Sequence, residues 1–257
     1  MALKYSTAAR DFMNEEGSYK QAFQNGRIEI YTGAQPATAD AAVTGTLLCT
    51  ITNNSLARTA EVLSSGTLTL STGASGSVNT LTVNSVDILG GAVPFNASLN
   101  QTAADVAAQI NNFLGAVLYS ASTLGAVVTI KAQPGTGTGP NGFVVAAGYT
   151  TITGSTGNMA AGVAAVNGLL FGESVAGTLS KLPAQVWGGV NATTGTAGWY
   201  RQYGSVADTG VIDTDLVFVR EDGAISTAGA ELNMASTALT IGATTTISGN
   251  TYTTPTL

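Results

Sequence analysis

The residues able to do chemistry fall in three short stretches, and histidine appears in none of them because the chain of 257 residues has no histidine. That removes Ser-His-Asp and Cys-His nucleophile systems, histidine metal sites and imidazole pH switches. Carboxylates remain. Asp208, Asp213, Asp215, Glu221 and Asp222 crowd into "ADTGVIDTDLVFVRED", where Asp213 and Asp215 would share a face if extended. A pair of this kind can act as acid and base on a glycosidic bond, and hard oxygen ligands can hold Ca²⁺. The ligand series and final Glu of an EF-hand loop are missing, so solvated turn residues are the expectation. A second stretch, "GTGPNG" at Gly137 to Gly142, matches G-x-G-x-x-G but runs into the strand-like "FVVAA" instead of the helix that a pyrophosphate site requires. It reads as a glycine-rich hairpin loop. The third is "GWYRQY", in which strand alternation puts Trp199, Arg201 and Tyr203 on one face and Tyr200 and Gln202 on the other. Such a row can stack on sugar rings, anchor a subunit contact or cover a core, because aromatic side chains carry so much area.

Composition narrows the classes. Only 9% of residues are charged, against about a quarter in typical globular chains, while 44% are hydrophobic. The net charge is -6 and only nine residues are Lys or Arg, which argues against binding a phosphate backbone. Cys49 stands alone in "GTLLCTI", so no intramolecular disulfide can form and the thiol is expected to be a small buried apolar group. No run approaches the roughly 18 apolar residues of a membrane span, and "MALKYSTAARDF" has no signal-like apolar core. We therefore expect synthesis in a reducing cytosol, no membrane partner and no glycan on the N-x-S/T matches at Asn53, Asn96 and Asn191. The residues call for no cofactor and no metal.

The elements that must position these residues are mostly strands. Residues 1–24 read as a helical arm, with Ser6 or Thr7 as N-cap and Gly17 interrupting. Ala9, Phe12 and Met13 share one face, and Tyr19, Ala22 and Phe23 another. After Gly26 the period becomes two, with Ile28 and Ile30 on one side and Arg27, Glu29 and Tyr31 on the other. The loop "TGAQPATADAAVTG" leads to a second strand, "TLLCTIT". Residues 66–162 read as an inserted α+β (ββαββ) domain. "NTLTVNSVDIL" turns at Asn84 and Ser85. Thr102 and Asp105 have capping-box spacing ahead of the stripe Val106, Ile110, Phe113, Leu114 and Val117. The flanks "SSGTLTLSTGASGS" and "TGSTGNMAAG" look like linkers or turns. Residues 25–65 and 163–257 would form a discontinuous, mainly β body of β-sandwich or jelly-roll-like kind, with Asp222-Gly223 marking a tight hairpin.

The opening "STAARDFM" and "GSYKQAFQNGRIEIYTGAQPATADAAVTGTLL", with "TAGWYRQYG", "REDGAISTAGAELNMAS" and "IGATTTISGNTYTTP" near the other end, resembles a family of tailed-bacteriophage virion structural proteins. The resemblance covers both ends and skips the middle. It implies a virion building block without catalytic residues, assembled in the host cytoplasm as a homo-oligomer on other virion proteins (major capsid, neck or tail subunits). Capsid decoration or cement is the expected station, with neck, collar or tail as the alternative. Two rival functions remain at this point, a receptor- or glycan-binding module using Trp199, Arg201 and Tyr203, and a glycosidase using Asp213.

Overall fold

The computed structural model describes residues 3–113, 119–214 and 217–253. The chain is mainly β and divides into two compact units, residues 1–61 with 165–257, and residues 62–164. The expected insert boundaries were 66 and 162.

The first unit begins with β1 (Lys4–Tyr5), α1 (Thr7–Asp11), a π-helical turn over Phe12–Glu16, α2 (Tyr19–Phe23), β2 (Arg27–Thr32) and β3 (Leu47–Asn53). The second unit contains β4 (Ser65–Thr72), β5 (Ser77–Val83), β6 (Val86–Asp87), β7 (Val93–Pro94), α3 (Leu99–Asn112), β8 (Ser120–Leu124), β9 (Val127–Lys131), β10 (Val145–Thr150) and β11 (Thr153–Ala160). The chain then returns to the first unit with β12 (Thr178–Ser180), β13 (Trp187–Val190), β14 (Gly195–Tyr203), β15 (Arg220–Ser226), β16 (Leu232–Asn233), β17 (Ala238–Leu239), β18 (Thr244–Ile247) and β19 (Thr251–Thr253).

In the first unit nine strands form one sheet in the order β1-β15-β14-β2-β3-β13-β18, with β16 beside β15 and β17 beside the start of β14. The period of two in "RIEIY" sorts its side chains. Ile28 and Ile30 join Cys49, Ile51, Tyr200 and Ile225 in the apolar core, while Arg27, Glu29 and Tyr31 face the other way. The N-terminal helices close that core. Ser6 accepts from the Ala9 amide at 3.1 Å, and Ser18 with Gln21 makes a capping box. Ala9, Phe12, Tyr19, Ala22 and Phe23 are buried in it, each large side chain contributing about 1.5–3 kcal/mol. Tyr5, in β1, packs against the same cluster. The expected arm is therefore one wall of the unit's own core.

Asp222-Gly223 is not a hairpin. Both residues lie inside β15, paired with Arg201 and Tyr200 of β14. The glycine is needed for a different reason, since a Cβ at Gly223 would stand 2.5 Å from the Tyr200 ring. A tight turn signal and a close-packing signal look alike in sequence.

In the second unit, two antiparallel four-stranded sheets, β10-β5-β6 with β7 on β5 and β11-β4-β9-β8, enclose a core that includes α3 residues. Asn84 and Ser85 take φ of 50° and 66° between the paired β5 and β6, the positive values of a two-residue hairpin. The Gly/Ser/Thr-rich flanks are strands, not linkers: β4 pairs with both β11 and β9, and its Leu68 and Leu70 are buried. Threonine suits a half-buried pleat, which is why the composition misled. Among the described residues the unit therefore has eight strands beside α3, against the four expected. Helix α3 starts earlier than the capping-box spacing suggested, with Ser98 as its N-cap accepting from the Gln101 amide at 3.1 Å. Thr102 is buried within the helix and donates to the Ser98 carbonyl at 2.8 Å. Val106 and Ile110 are buried as the stripe requires, Phe113 is the half-buried C-cap, and Leu114 and Val117 lie outside the described residues.

Candidate functional site

The face of the first unit's sheet opposite its apolar core carries Arg27, Glu29, Arg201, Arg220 and Asp222 together with Tyr31, Trp199 and Tyr203. Register places Arg201 between Asp222 and Glu29, Tyr203 between Arg220 and Arg27, and Trp199 between Ala224 and Tyr31. Side chains directly opposite on neighbouring strands meet, so alternation alone builds a layer of charge and aromatic rings. Arg201 holds Asp222 with two hydrogen bonds, Nε to Oδ1 at 2.6 Å and Nη2 to Oδ2 at 2.7 Å. Arg220 holds Asp208 in the same bidentate way, at 2.7 and 2.8 Å. Trp199 stacks on Tyr31 with centroids 4.7 Å apart, and the Arg27 guanidinium lies 3.9 Å from the centre of the Tyr203 ring.

This layer is closed from outside. Trp199, Arg201, Tyr203, Arg220 and Asp222 are all 0% exposed. The covering segment is the proline-bearing loop between β2 and β3. Arg201 Nη1 donates to the Ala41 carbonyl at 3.0 Å, Arg220 Nη1 to those of Ala39 and Asp40 at 3.3 Å, and Lys4 Nζ to that of Pro36 at 2.6 Å. Asp40 in turn accepts from the amide and hydroxyl of Thr7, both at 2.9 Å. Trp199, Arg201 and Tyr203 could stack on sugars, anchor a subunit contact or cover a core, and their burial favours the third. Their face is inside the unit, where four loop carbonyls and ordered guanidinium forks pair its charged groups.

Burial pushes the Asp222 carboxyl up, and the Arg201 guanidinium pulls against it. On the apolar face Glu221 has a different setting. Tyr200 donates to its Oε1 at 3.0 Å, and the hydroxyls of Tyr5 and Tyr19 also hydrogen bond to it. Burial nevertheless raises the carboxyl to about 7, and the charge of neighbouring Asp222 adds to the rise. A carboxyl near neutrality suits a general acid, but Glu221 lines none of the cavities described below.

The remaining sequence candidates are dispersed. Asp208 is consumed by Arg220, and Asp213 accepts from the amides of Val217 and Phe218 at 3.2 and 2.8 Å. Asp215 lies outside the described residues. Among the described residues no three Cys, Asp or Glu side chains converge as a metal ion would require. The loop from Gly137 to Gly142 leads into β10, a strand. Cys49 is buried, and burial pushes its thiol up to about 11, away from reactivity. Asn191 is buried too, bonded to Thr240 and Thr245.

Sequence reasoning missed the parts played by Arg220, Asp40 and Arg58. The signal was present in parity, since Arg27, Glu29, Arg201, Tyr203, Arg220 and Asp222 all occupy one face of their strands, and no surface needs so many paired opposite charges.

Three cavities open on this unit, one of them, of about 300 Å³, beside Lys4, Arg10 and Asp40. Another, of about 560 Å³, lies over β2, β3 and β13 where the covering loop stops, and Arg27, Thr50, Arg58 and Val190 line it. The third, of about 460 Å³, lies between the 232–240 segment and β18, lined chiefly by hydroxyl and aliphatic groups. Neither of the larger two presents a nucleophile beside a base. No protein-family model, curated protein or solved structure matches the chain.

Proposed function

We propose that the chain is a structural component of a tailed-bacteriophage virion, and that it decorates or cements the capsid by binding other virion subunits and further copies of itself. The observation that carries this reading is the inward turn of its charge. Arg201, Arg220, Asp222, Asp208 and Glu221 are sequestered, while Leu56, Val186, Val190 and Ile241 are more than half exposed. An exterior poor in charge and dotted with aliphatic groups loses little hydration on close packing. The resemblance of both chain ends to virion structural proteins points the same way, and the body is proposed as sandwich- or jelly-roll-like on the spacing of its short strands. The glycan-binding reading is weaker because its three residues are buried. The glycosidase reading is weaker because Asp213 is engaged by backbone amides.

Quantitative mass spectrometry of purified particles tests the proposal. Hundreds of copies per particle are expected for capsid decoration. Six or twelve would move the protein to a neck or tail ring. Absence from particles would overturn the structural reading.

A further inference from the structure

Arg27 of the charged layer reaches the cavity over β2, β3 and β13, where Arg58 joins it, and the donors of the two are not all used. Arg27 gives Nε to Glu29 at 2.7 Å and Nη2 to the Asp208 carbonyl at 2.5 Å. Arg58 gives Nε to the Asn25 carbonyl at 2.9 Å and Nη2 to the carbonyls of Gly204 and Ser205. Each guanidinium is therefore fixed in orientation on two of its three nitrogens. Among the described residues no acceptor meets the Nη1 group of either. We infer that this cavity binds a single oxyanion, a carboxylate or a phosphate, between the free Nη1 groups of Arg27 and Arg58.

The rest of the lining agrees with that ligand class. Thr50 adds a hydroxyl, and Leu56 and Val190, both more than half exposed, border the cavity with aliphatic groups. The acidic residues nearby are already committed: both Asp208 oxygens accept from Arg220, Glu29 accepts from Arg27 and Tyr31, and Glu61 accepts from Ser205. What the cavity offers is thus donor-rich, and pre-oriented guanidiniums match the two or three oxygens of one anion. Burial, and then the charge of Arg27, hold Arg58 down at about 10 although Glu61 and Glu29 pull the other way, and an anion between the two arginines would relieve the remaining cost. The inference goes beyond a structural role and does not depend on the protein's place in a particle.

Calorimetric titration of the full chain with sodium phosphate, and separately with sodium acetate, against sodium chloride at equal ionic strength tests it. One saturable site is expected. Phosphate alone would assign the site to phosphate, acetate alone to carboxylates, and both to oxyanions of either source. Arg58→Gln should weaken binding at least tenfold. Because Arg58 also ties three carbonyls, Val190→Glu provides a second variant that keeps both guanidiniums and supplies a competing carboxylate. It too should weaken binding at least tenfold, with the melting transition retained. No saturation above the chloride control would overturn the inference. So would binding that survives both variants undiminished, which would mean an adventitious ion only.

Discussion

The two units stabilise β-structure by different means. The second, residues 62–164, contains only Asp87, Asp105 and Lys131 as charged residues, and its core of Leu68, Leu81, Val106, Val128 and their neighbours is apolar throughout. The first has an apolar core on one face of its sheet and a layer of ion pairs on the other, closed by a loop whose carbonyls receive the guanidinium donors. The difference shows where a chain with few charges places them. Glu61, Arg201, Asp208, Asp213, Arg220, Glu221 and Asp222 are all buried in one unit, where each must find a partner, while the other unit buries none. Apolar packing tolerates volume-conserving change, but a buried ion pair tolerates the loss of neither partner.

The largest expected effect follows from that asymmetry. Arg220→Met leaves Asp208 buried and unpaired and frees the carbonyls of Ala39, Asp40 and Val211, so the first unit should lose about 3–5 kcal/mol. Hydrogen exchange should show loss of protection in β14 and β15 while β4 and β9 keep theirs. Loss spread equally over both units would break the comparison. Leu68→Ala is the counterpart, a cavity in the second unit worth about 2–5 kcal/mol, with exchange rising in β4, β9 and β11 and little change in β14.

A smaller effect depends on pH. Glu221 titrates near 7 in the folded chain against 4.5 ordinarily, so the folded state retains the proton where the unfolded chain releases it. Stability from this group is fully present below about 4.5 and is lost as pH rises through about 7, a change on the order of 3 kcal/mol. Glu221→Gln, still able to accept from Tyr5, Tyr19 and Tyr200, should flatten the denaturation midpoint between pH 5 and 8. A wild-type midpoint independent of pH in that range would remove the proposed cause. The smallest effect is expected at Ser18, whose replacement by Ala should cost about 1 kcal/mol by urea denaturation through loss of the α2 capping box.

How much of this was legible in the sequence depended on whether the signal was local. Helix caps at Ser6, the two apolar faces of the N-terminal helices, the Asn84-Ser85 hairpin and the buried Cys49 depend on residues within a turn of one another, and they read correctly. The strands β4 and β11 did not, because Thr, Ser and Gly dominate both linkers and uncharged pleated strands, and only pairing partners far along the chain distinguish the two. The candidate site stayed ambiguous for the same reason. The alternation of Trp199, Arg201 and Tyr203 was plain, but whether that face met solvent depended on Ala39, Asp40 and Ala41, about 160 residues away along the chain. The loop "TGAQPATADAAVTG" read only as the lead into a second strand, and its backbone carbonyls, which the sequence does not display, turn it into a cover.

The inward-facing charge layer is tested most directly by a double-mutant cycle on Arg201 and Asp222, both 0% exposed and bonded at 2.6 and 2.7 Å. Denaturation of Arg201→Met, Asp222→Leu and the double variant should show each single change costing about 3–5 kcal/mol. The double variant should recover several of these, because replacing both partners removes the stranded charge. Single variants that unfold like the parent, with no coupling in the cycle, would place this pair in solvent and contradict the account.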